Sequence, residues 1–333
     1  MERKRIYLWD NLKFFLITLV VIGHFVSYYF EYDSFKSIYI FIYSFHMPLF
    51  FFVSGMFHKN KNIASKVYYY FLIGMLMKII SFVTLNVLGR DDKMHFFSNS
   101  GISWFAFALA AFVLISYLLR DINPGLLLIM SVFLACFVGY DRGFDDLFIT
   151  FRIFNFYPYY VLGIVMDRAK LQKVLEKKQT VALGAVILVI WAIVCICSVD
   201  KVFAFRALFF GYKSYEPDLY KVGWLYRLGS YILALVVGGA CICVMPKNKI
   251  PVISECGKKT LQVYFWHRAI LYVFMELNVF GNLCGTVMGK VTYLLVAIAL
   301  TFLLSMKPFS FPTEHIMKYS KMRYRQEKSD ELY

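Results

Sequence analysis

Long apolar stretches separated by short polar segments dominate the chain. Ten of them approach the roughly 20 residues that an α-helix needs to cross a bilayer. They cover residues 8–30, 38–57, 67–88, 102–119, 124–140, 152–167, 181–199, 223–245, 260–280 and 291–306. Helices satisfy their own backbone hydrogen bonds in lipid. The pattern therefore predicts an all-α, polytopic membrane helix bundle with about ten transmembrane helices.

Composition agrees with a membrane protein. The 333 residues are 60% hydrophobic and 20% aromatic, and the mean hydropathy is +0.61, far above that of a soluble domain. We predict a transmembrane domain over 1–310 and a polar cytoplasmic tail over 311–333. The first apolar stretch follows MERKR but contains Lys13 and His24 and lacks a small-x-small cleavage site. We interpret it as a retained helix rather than a signal peptide.

The net charge of +15 reflects topology rather than nucleic-acid binding. Lys and Arg concentrate in alternate segments, namely 1–7, 58–66, 120–123, 168–180, 246–259 and the tail from Lys307. The opposite loops contain acids, among them Asp91, Asp92, Asp141, Asp145 and Asp146. Cytoplasmic loops of membrane proteins are enriched in Lys and Arg. This bias predicts that both termini lie in the cytoplasm.

Two ionisable residues share one face of the first predicted helix. Lys13 and His24 are separated by FFLITLVVIG, so they lie almost three whole turns, about 16 Å, apart on one stripe. Asp10 lies close to the same stripe. Ionisable groups at membrane depth are costly and normally face a bundle interior or a wet cavity. Lys13 suits capture of a phosphate, or alternatively snorkels or forms an ion pair with Asp10.

A second histidine is predicted at similar depth. His46 lies about eight residues into the second stretch, which runs back across the membrane beside the first. Histidine takes and returns a proton near neutral pH, so one imidazole of the pair could deprotonate a hydroxyl while the other orients it. The alternative is that each is a core histidine bonded to a backbone carbonyl.

The second stretch, SFHMPLFFFVSGMFHKNKN, also predicts local structure. Pro48 should kink the helix, and Ser54–Gly55 should allow another helix to approach closely. His58, Lys59 and Lys61 follow at the predicted cytoplasmic face. There they suit docking of an anionic cofactor, although topology alone also explains them.

The ninth stretch begins with GKKTLQVYFWHRAIL. His267 and Arg268 lie about two turns into it and are candidates for contacting nucleotide phosphates. Packing and interface anchoring are the alternative. Nearer the opposite side, Arg152, Arg227 and Glu276 either line a substrate cavity or pair with each other.

Several classes of chemistry have no visible machinery. The sequence lacks a P-loop, a Rossmann glycine pattern, a Gly-x-Ser-x-Gly elbow and HExxH, and its cysteines lack zinc spacing. No metal site is predicted.

Three segments together resemble a known family. DNLKFFLITLVVIGH, FHMPLFFFVSG and GKKTLQVYFWH are similar to segments of membrane acyltransferase family 3, in particular its sugar O-acetyltransferases of the fucose 4-O-acetylase type. The family typically has an arginine separated by ten residues from the helix-1 histidine, whereas this chain has Lys13. It often has an arginine-rich motif after the Ser-Gly of helix 2, whereas this chain has His58, Lys59 and Lys61.

The resemblance implies an integral O-acyltransferase of the bacterial cytoplasmic membrane. The donor would be acetyl-CoA or another short acyl-CoA, and the acceptor a hydroxyl of a surface polysaccharide or its lipid-linked sugar precursor. His24 would act as general base or transient acyl carrier, and His46 would assist. Lys13 and Asp10 would shape the donor channel, and Lys59, Lys61, His267 and Arg268 would contact CoA phosphates.

Two other functions remain open at this point. A transporter that exports a small acid or a glycolipid would use the same buried ions as a proton relay, although the sequence shows no inverted repeat. A structural membrane protein or polysaccharide-assembly partner would tolerate loss of His24. Homo-oligomerisation also stays open.

Overall fold

A computed structural model describes residues 5–91, 93–94, 101–144 and 148–320. Asp92, Asp145, Asp146 and the predicted tail beyond residue 320 lie outside the described residues. The α-helices are α1 (Tyr7–Val26), α2 (Asp33–Tyr43), α3 (His46–Met56), α4 (Ile63–Val87), α5 (Trp104–Leu118), α6 (Pro124–Phe137), α7 (Thr150–Val165), α8 (Arg168–Leu175), α9 (Lys178–Cys197), α10 (Val199–Ala204), α11 (Arg206–Phe210), α12 (Gly223–Val244), α13 (Pro251–Cys256), α14 (Thr260–Glu276) and α15 (Val287–Leu304).

The all-α prediction is confirmed, since the described residues form helices and no strand. Each of the ten predicted stretches overlaps a described α-helix, and the second overlaps both α2 and α3. Six helical segments of the described chain are long and apolar enough to cross a membrane: Tyr7–Val26, Asp33–Met56, Ile63–Val87, Lys178–Cys197, Gly223–Val244 and Val287–Leu304. The count of ten spans, the orientation and the domain division at 310 stay predictions.

The chain forms two compact units, each assembled from two segments. Of the described residues, those within 5–58 and 120–258 form the first unit, and those within 59–119 and 259–320 form the second. In the first unit, α1 packs on α2, α3 and α13, while α12 packs on α3, α6 and α9. In the second unit, α4 packs on α5 and α14, and α14 packs on α15.

Glycines allow α3 and α7 to pack closely in the first unit. A Cβ at Gly55 would overlap the carbonyl oxygen of Tyr160, and one at Gly163 would overlap the carbonyl oxygen of Phe52. The absence of side chains at both positions lets the two backbones touch. The close helix approach predicted from Ser54–Gly55 is therefore made by α7.

The predicted kink in the second stretch lies just before Pro48. The helix breaks at Phe45, whose backbone has φ −142° and ψ −21°, so that α2 ends at Tyr43 and α3 begins at His46. A proline ring clashes with the carbonyl four residues earlier, which here is that of Ser44. The break therefore lies where the proline ring requires it.

The second unit also includes part of the predicted tail. Residues 313–320 are helical and bind α4 through its first turns. Ser320 donates a hydrogen bond to the Ser65 carbonyl at 3.0 Å, and Tyr69 donates to the Thr313 carbonyl at 3.3 Å. Residues 313–320 therefore contact the first turns of α4.

Candidate active site

An ion-pair cluster lies at the first turn of α1. Arg5 donates from Nε to Asp10 Oδ2 at 2.6 Å and from Nη2 to Oδ1 at 3.1 Å. Lys13 Nζ lies 3.0 Å from the same Oδ1, and the Asp10 side chain is only 6% exposed. The hydrogen bond to Asp10 raises the pKa of the Arg5 guanidinium. Of the alternatives for Lys13, the structure shows the ion pair with Asp10.

Asn11, the next residue of α1, holds the loop between α12 and α13. Its Nδ2 donates to the carbonyls of Pro246 at 2.9 Å and Asn248 at 3.0 Å. Its Oδ1 accepts from the Ser254 hydroxyl at 2.7 Å, and Asn11 is 2% exposed. These buried bonds fix the loop, with its lysines, against α1.

A basic cleft of about 570 Å³ opens beside this loop. Its volume lies within the range of small-molecule sites. Four cations and one acid line it together with aromatic and amide side chains; the charged members are Arg5, Arg168, Glu176, Lys247 and Lys249. Guanidinium and ammonium groups in one concave surface suit the phosphates of a nucleotide.

Two of the cleft cations, one on α8 and one on the loop, donate to backbone carbonyls. Arg168 donates to the carbonyl of Met56, and its guanidinium lies 4.8 Å from the centre of the Phe57 ring. Lys247 donates to the carbonyl of Leu175. Asp167 caps α8, and hydrogen bonds from the backbone amides of Lys170 and Ala169 lower the pKa of its carboxyl. The cap fixes where α8 begins and so positions Arg168.

Two imidazoles flank one tyrosine ring in the same unit. The ring centre of Tyr43 lies 6.4 Å from that of His24 and 4.8 Å from that of His46, edge-on in both cases. A Cβ at Gly23 would lie 2.9 Å from the Tyr43 ring, so glycine makes room for the ring beside α1. The structure thus brings His24 and His46 together around Tyr43.

The helix break determines the orientation of His46. Its Nδ1 lies 2.8 Å from the carbonyl oxygen of Ile42. A carbonyl only accepts, so Nδ1 carries the proton and donates. Nε2 of the neutral ring then carries the lone pair that can accept a proton. His46 is 3% exposed, while His24 is half-buried.

The other four candidates fall in the second unit. Lys59 and Lys61 are exposed between α3 and α4, where the carbonyl of Lys59 accepts from Lys66 at 2.7 Å. His267 is buried, and its Nδ1 lies 2.9 Å from the Tyr264 carbonyl oxygen. The Arg268 guanidinium lies 4.8 Å from the centre of the Tyr272 ring. This hydrogen bond from His267 to the backbone of its own helix is what we expect of a histidine that only packs within α14 and contacts no ligand.

Two further polar residues have definite partners. His58 Nδ1 lies 2.8 Å from the hydroxyl of Tyr160 on α7. Glu276 accepts from Arg90 Nε at 2.7 Å, so its carboxylate pairs there rather than with Arg152 or Arg227.

Sequence reasoning missed much of the cleft. Arg5, Arg168, Lys247 and Lys249 appeared only as topology-determining charges, because nothing in their spacing shows that α1, α8 and one loop meet. Tyr43 had no signal beyond its position three residues before His46. Within the described chain, no group of three or more His, Cys, Asp or Glu residues could hold a metal ion.

Fold and site together define a polytopic helical membrane protein with an ion-pair cluster, a basic cleft and paired histidines on connected helices. Residues 6–306 match the acyltransferase family 3 model, described as an acyltransferase domain. The chain therefore belongs to acyltransferase family 3. No curated protein and no solved structure matches it.

Proposed function

We propose that this chain is an integral membrane O-acyltransferase of the bacterial cytoplasmic membrane. It moves an acetyl or other short acyl group from cytoplasmic acyl-CoA to a hydroxyl of a cell-surface polysaccharide or of its lipid-linked sugar precursor. Membership of acyltransferase family 3 supports acyl transfer. The donor, the acceptor and the residue roles below are our inference.

The arrangement along α1 carries the proposal. One end of the helix holds the Arg5–Asp10–Lys13 cluster beside the basic cleft. His24 lies 14 residues beyond Asp10, about 21 Å along the axis, beside the Tyr43 ring and His46. A donor whose phosphates occupy the cleft can direct its acyl-bearing arm along this helix toward the histidines.

The chemistry requires one base and one leaving group. His24 takes the proton of the acceptor hydroxyl, and the hydroxyl oxygen attacks the thioester carbon. The carbon–sulfur bond breaks, and the CoA thiolate leaves and is protonated. His46, whose Nε2 carries a lone pair, orients the hydroxyl. In a two-step variant His24 carries the acyl group before the acceptor attacks.

We assign the donor contacts to different residues from those predicted from the sequence. Arg5, Arg168, Lys247 and Lys249 line one cavity and are our candidates for the phosphates of CoA. Lys59, Lys61, His267 and Arg268 remain weaker candidates on the second unit.

Transfer of radiolabel from acetyl-CoA to glycan tests the proposal. Membranes carrying the wild type or His24→Ala are supplied with labelled donor, at equal protein levels. A positioned base contributes about 10²–10⁴-fold, so we expect His24→Ala to lose label by that factor. His315→Ala replaces an exposed histidine of residues 313–320 and should retain wild-type transfer.

Wild-type label in the His24→Ala membranes would contradict the catalytic assignment. Flux of a small acid or a glycolipid through wild-type membranes without consumption of acyl-CoA would contradict acyl transfer itself. It would instead support the transporter function.

A further inference from the structure

Arg227 places a buried positive charge near the start of α12. The residue is 3% exposed; its Nη1 donates to the Leu208 carbonyl at 2.5 Å, and its guanidinium lies 5.9 Å from the centre of the Tyr215 ring. The ion pairs found among the described residues do not include it. Burial of a charge costs several kcal/mol, and charges within membrane helices mark functional cavities. Packing alone does not explain this residue.

Two buried polar atoms here have no hydrogen-bond partner among the residues that the structure describes. One is Arg227 Nε and the other is Asn155 Oδ1. The orientation of the Asn155 amide follows from its nitrogen, which donates to the Gly211 carbonyl at 3.0 Å. The Asn155 backbone is held as well, because its carbonyl accepts from the Tyr231 hydroxyl at 2.8 Å. A fixed donor and a fixed acceptor are thus left open.

Arg227 and Asn155 line the same small cavity. Its volume is about 10 Å³, room for about one oxygen atom. An atom within hydrogen-bond distance of both groups would accept from Nε–H and donate to Oδ1. A hydroxyl group does both, as does a water molecule that it would displace, whereas an ionised carboxylate or phosphate only accepts. The cavity is therefore complementary to a hydroxyl group.

A larger groove adjoins this cavity. The groove has a volume of about 520 Å³ and a mostly apolar lining. It shares three wall residues with the cavity, namely Leu208, Phe209 and Ser230. Trp191 lines the groove and is held in place by donating to Ser44 Oγ at 3.0 Å. Phe205 and Tyr226 stack with ring centres 5.2 Å apart. Such aromatic walls offer flat apolar contact to the carbon face of a sugar ring.

We propose that the Arg227–Asn155 cavity is an acceptor subsite that recognises one hydroxyl of a sugar, whose ring lies in the adjoining groove. This inference rests on the acyltransferase function proposed above and adds a specificity determinant to it. The recognised hydroxyl is not the one that becomes acylated. A guanidinium and a neutral amide cannot take its proton.

Binding of octyl glycosides to the purified full-length protein in nanodiscs tests this subsite. The probes are the octyl glycosides of glucose, galactose and fucose and every monodeoxy analogue of each, titrated by equilibrium dialysis. A site that hydrogen-bonds a hydroxyl rejects the analogue that lacks it. We expect removal of one particular hydroxyl to weaken binding by about 10- to 100-fold, as for a lost hydrogen bond to a charged group.

A matched pair of variants assigns the effect to this cavity. Arg227→Lys keeps the charge but removes the Nε–H donor, so it should bind the parent glycoside as weakly as the wild type binds the critical deoxy analogue. Arg206→Lys makes the same change at an exposed arginine of α11 and should bind like the wild type.

Two results with the wild-type protein alone would overturn the subsite. In the first, no glycoside binds the protein. In the second, every deoxy analogue binds the protein as well as its parent glycoside does. Hydroxyl-dependent binding in a protein without acyl transfer would contradict the proposed function alone. Acyl transfer whose acceptor KM is unchanged in Arg227→Lys would contradict the subsite alone.

Discussion

Asn11 supports the basic cleft, and Asn11→Leu should expose its contribution. The substitution keeps the volume roughly constant but removes two donated hydrogen bonds and one accepted hydrogen bond. At about 1 kcal/mol each, the loss amounts to about 3 kcal/mol. Water entering from the cleft can replace part of it, which lowers the expected value to about 2–3 kcal/mol.

The functional effect should be selective for the donor. Asn11 holds the loop that presents Lys247 and Lys249 to the cleft, and it lies about 19 Å along α1 from His24. We therefore expect the KM for acyl-CoA to rise about tenfold with less than a twofold change in kcat. Hydrogen exchange of residues 246–257 in nanodiscs should accelerate in parallel, because opening of this loop becomes easier.

Asn86→Leu is the matched control. Asn86 is exposed on α4 and donates to the Phe82 carbonyl at 2.9 Å. Surface substitutions of this kind change the free energy of unfolding by about 0.5 kcal/mol or less. If Asn11→Leu and Asn86→Leu show the same KM, stability and exchange rates, then the loop is not held as the structure indicates.

Three further predictions follow from close contacts and from the ion-pair cluster. Gly55→Ala should destabilise the protein by about 1–3 kcal/mol, because the added Cβ would overlap the backbone of α7. Gly239→Ala is the control and should not destabilise it, since a Cβ there would meet no atom within 4 Å. Thermal unfolding of both variants in the same detergent compares them. Gly23→Ala should lower kcat with an unchanged donor KM, since it displaces the ring between the two histidines; an effect confined to donor KM would refute this. Arg5→Gln should raise the KM for the donor more than Lys13→Gln, because Arg5 lines the cleft and Lys13 does not. Equal donor KM values for the two variants in steady-state kinetics would contradict this prediction.

The apolar pattern predicted the fold class well because each helix is specified locally. A stretch of apolar residues bounded by charges determines a membrane helix without information from distant segments. The Pro48 kink and the Ser54–Gly55 approach were predictable for the same reason, since both follow from the chemistry of one residue or one pair. Periodicity does not identify the partner of that approach, so α7 emerged only from the structure.

The site was less predictable because it depends on contacts between segments. His24 and His46 were predicted as site residues from their similar depth in two neighbouring stretches. The cleft joins residue 5, α8 and the loop before α13, which are far apart in the sequence. Its cations are also what the positive-inside rule expects, so a functional cation and a topological one have the same sequence signature. Asn155 could not be predicted as a site residue, because a single polar residue in an apolar stretch does not show which hydrogen bonds its side chain makes.

The ion-pair cluster gives Asp10 a bidentate partner that Lys13 cannot supply. The resemblance described in the sequence analysis implies arginine where Lys13 stands, and an ammonium cannot form two parallel hydrogen bonds. Here Arg5 supplies both, because its Nε and Nη2 bind the two oxygens of Asp10. Lys13 then acts as a point charge on one of those oxygens. The carboxylate at the start of α1 therefore binds a guanidinium bidentately, and that guanidinium comes from a residue five positions earlier.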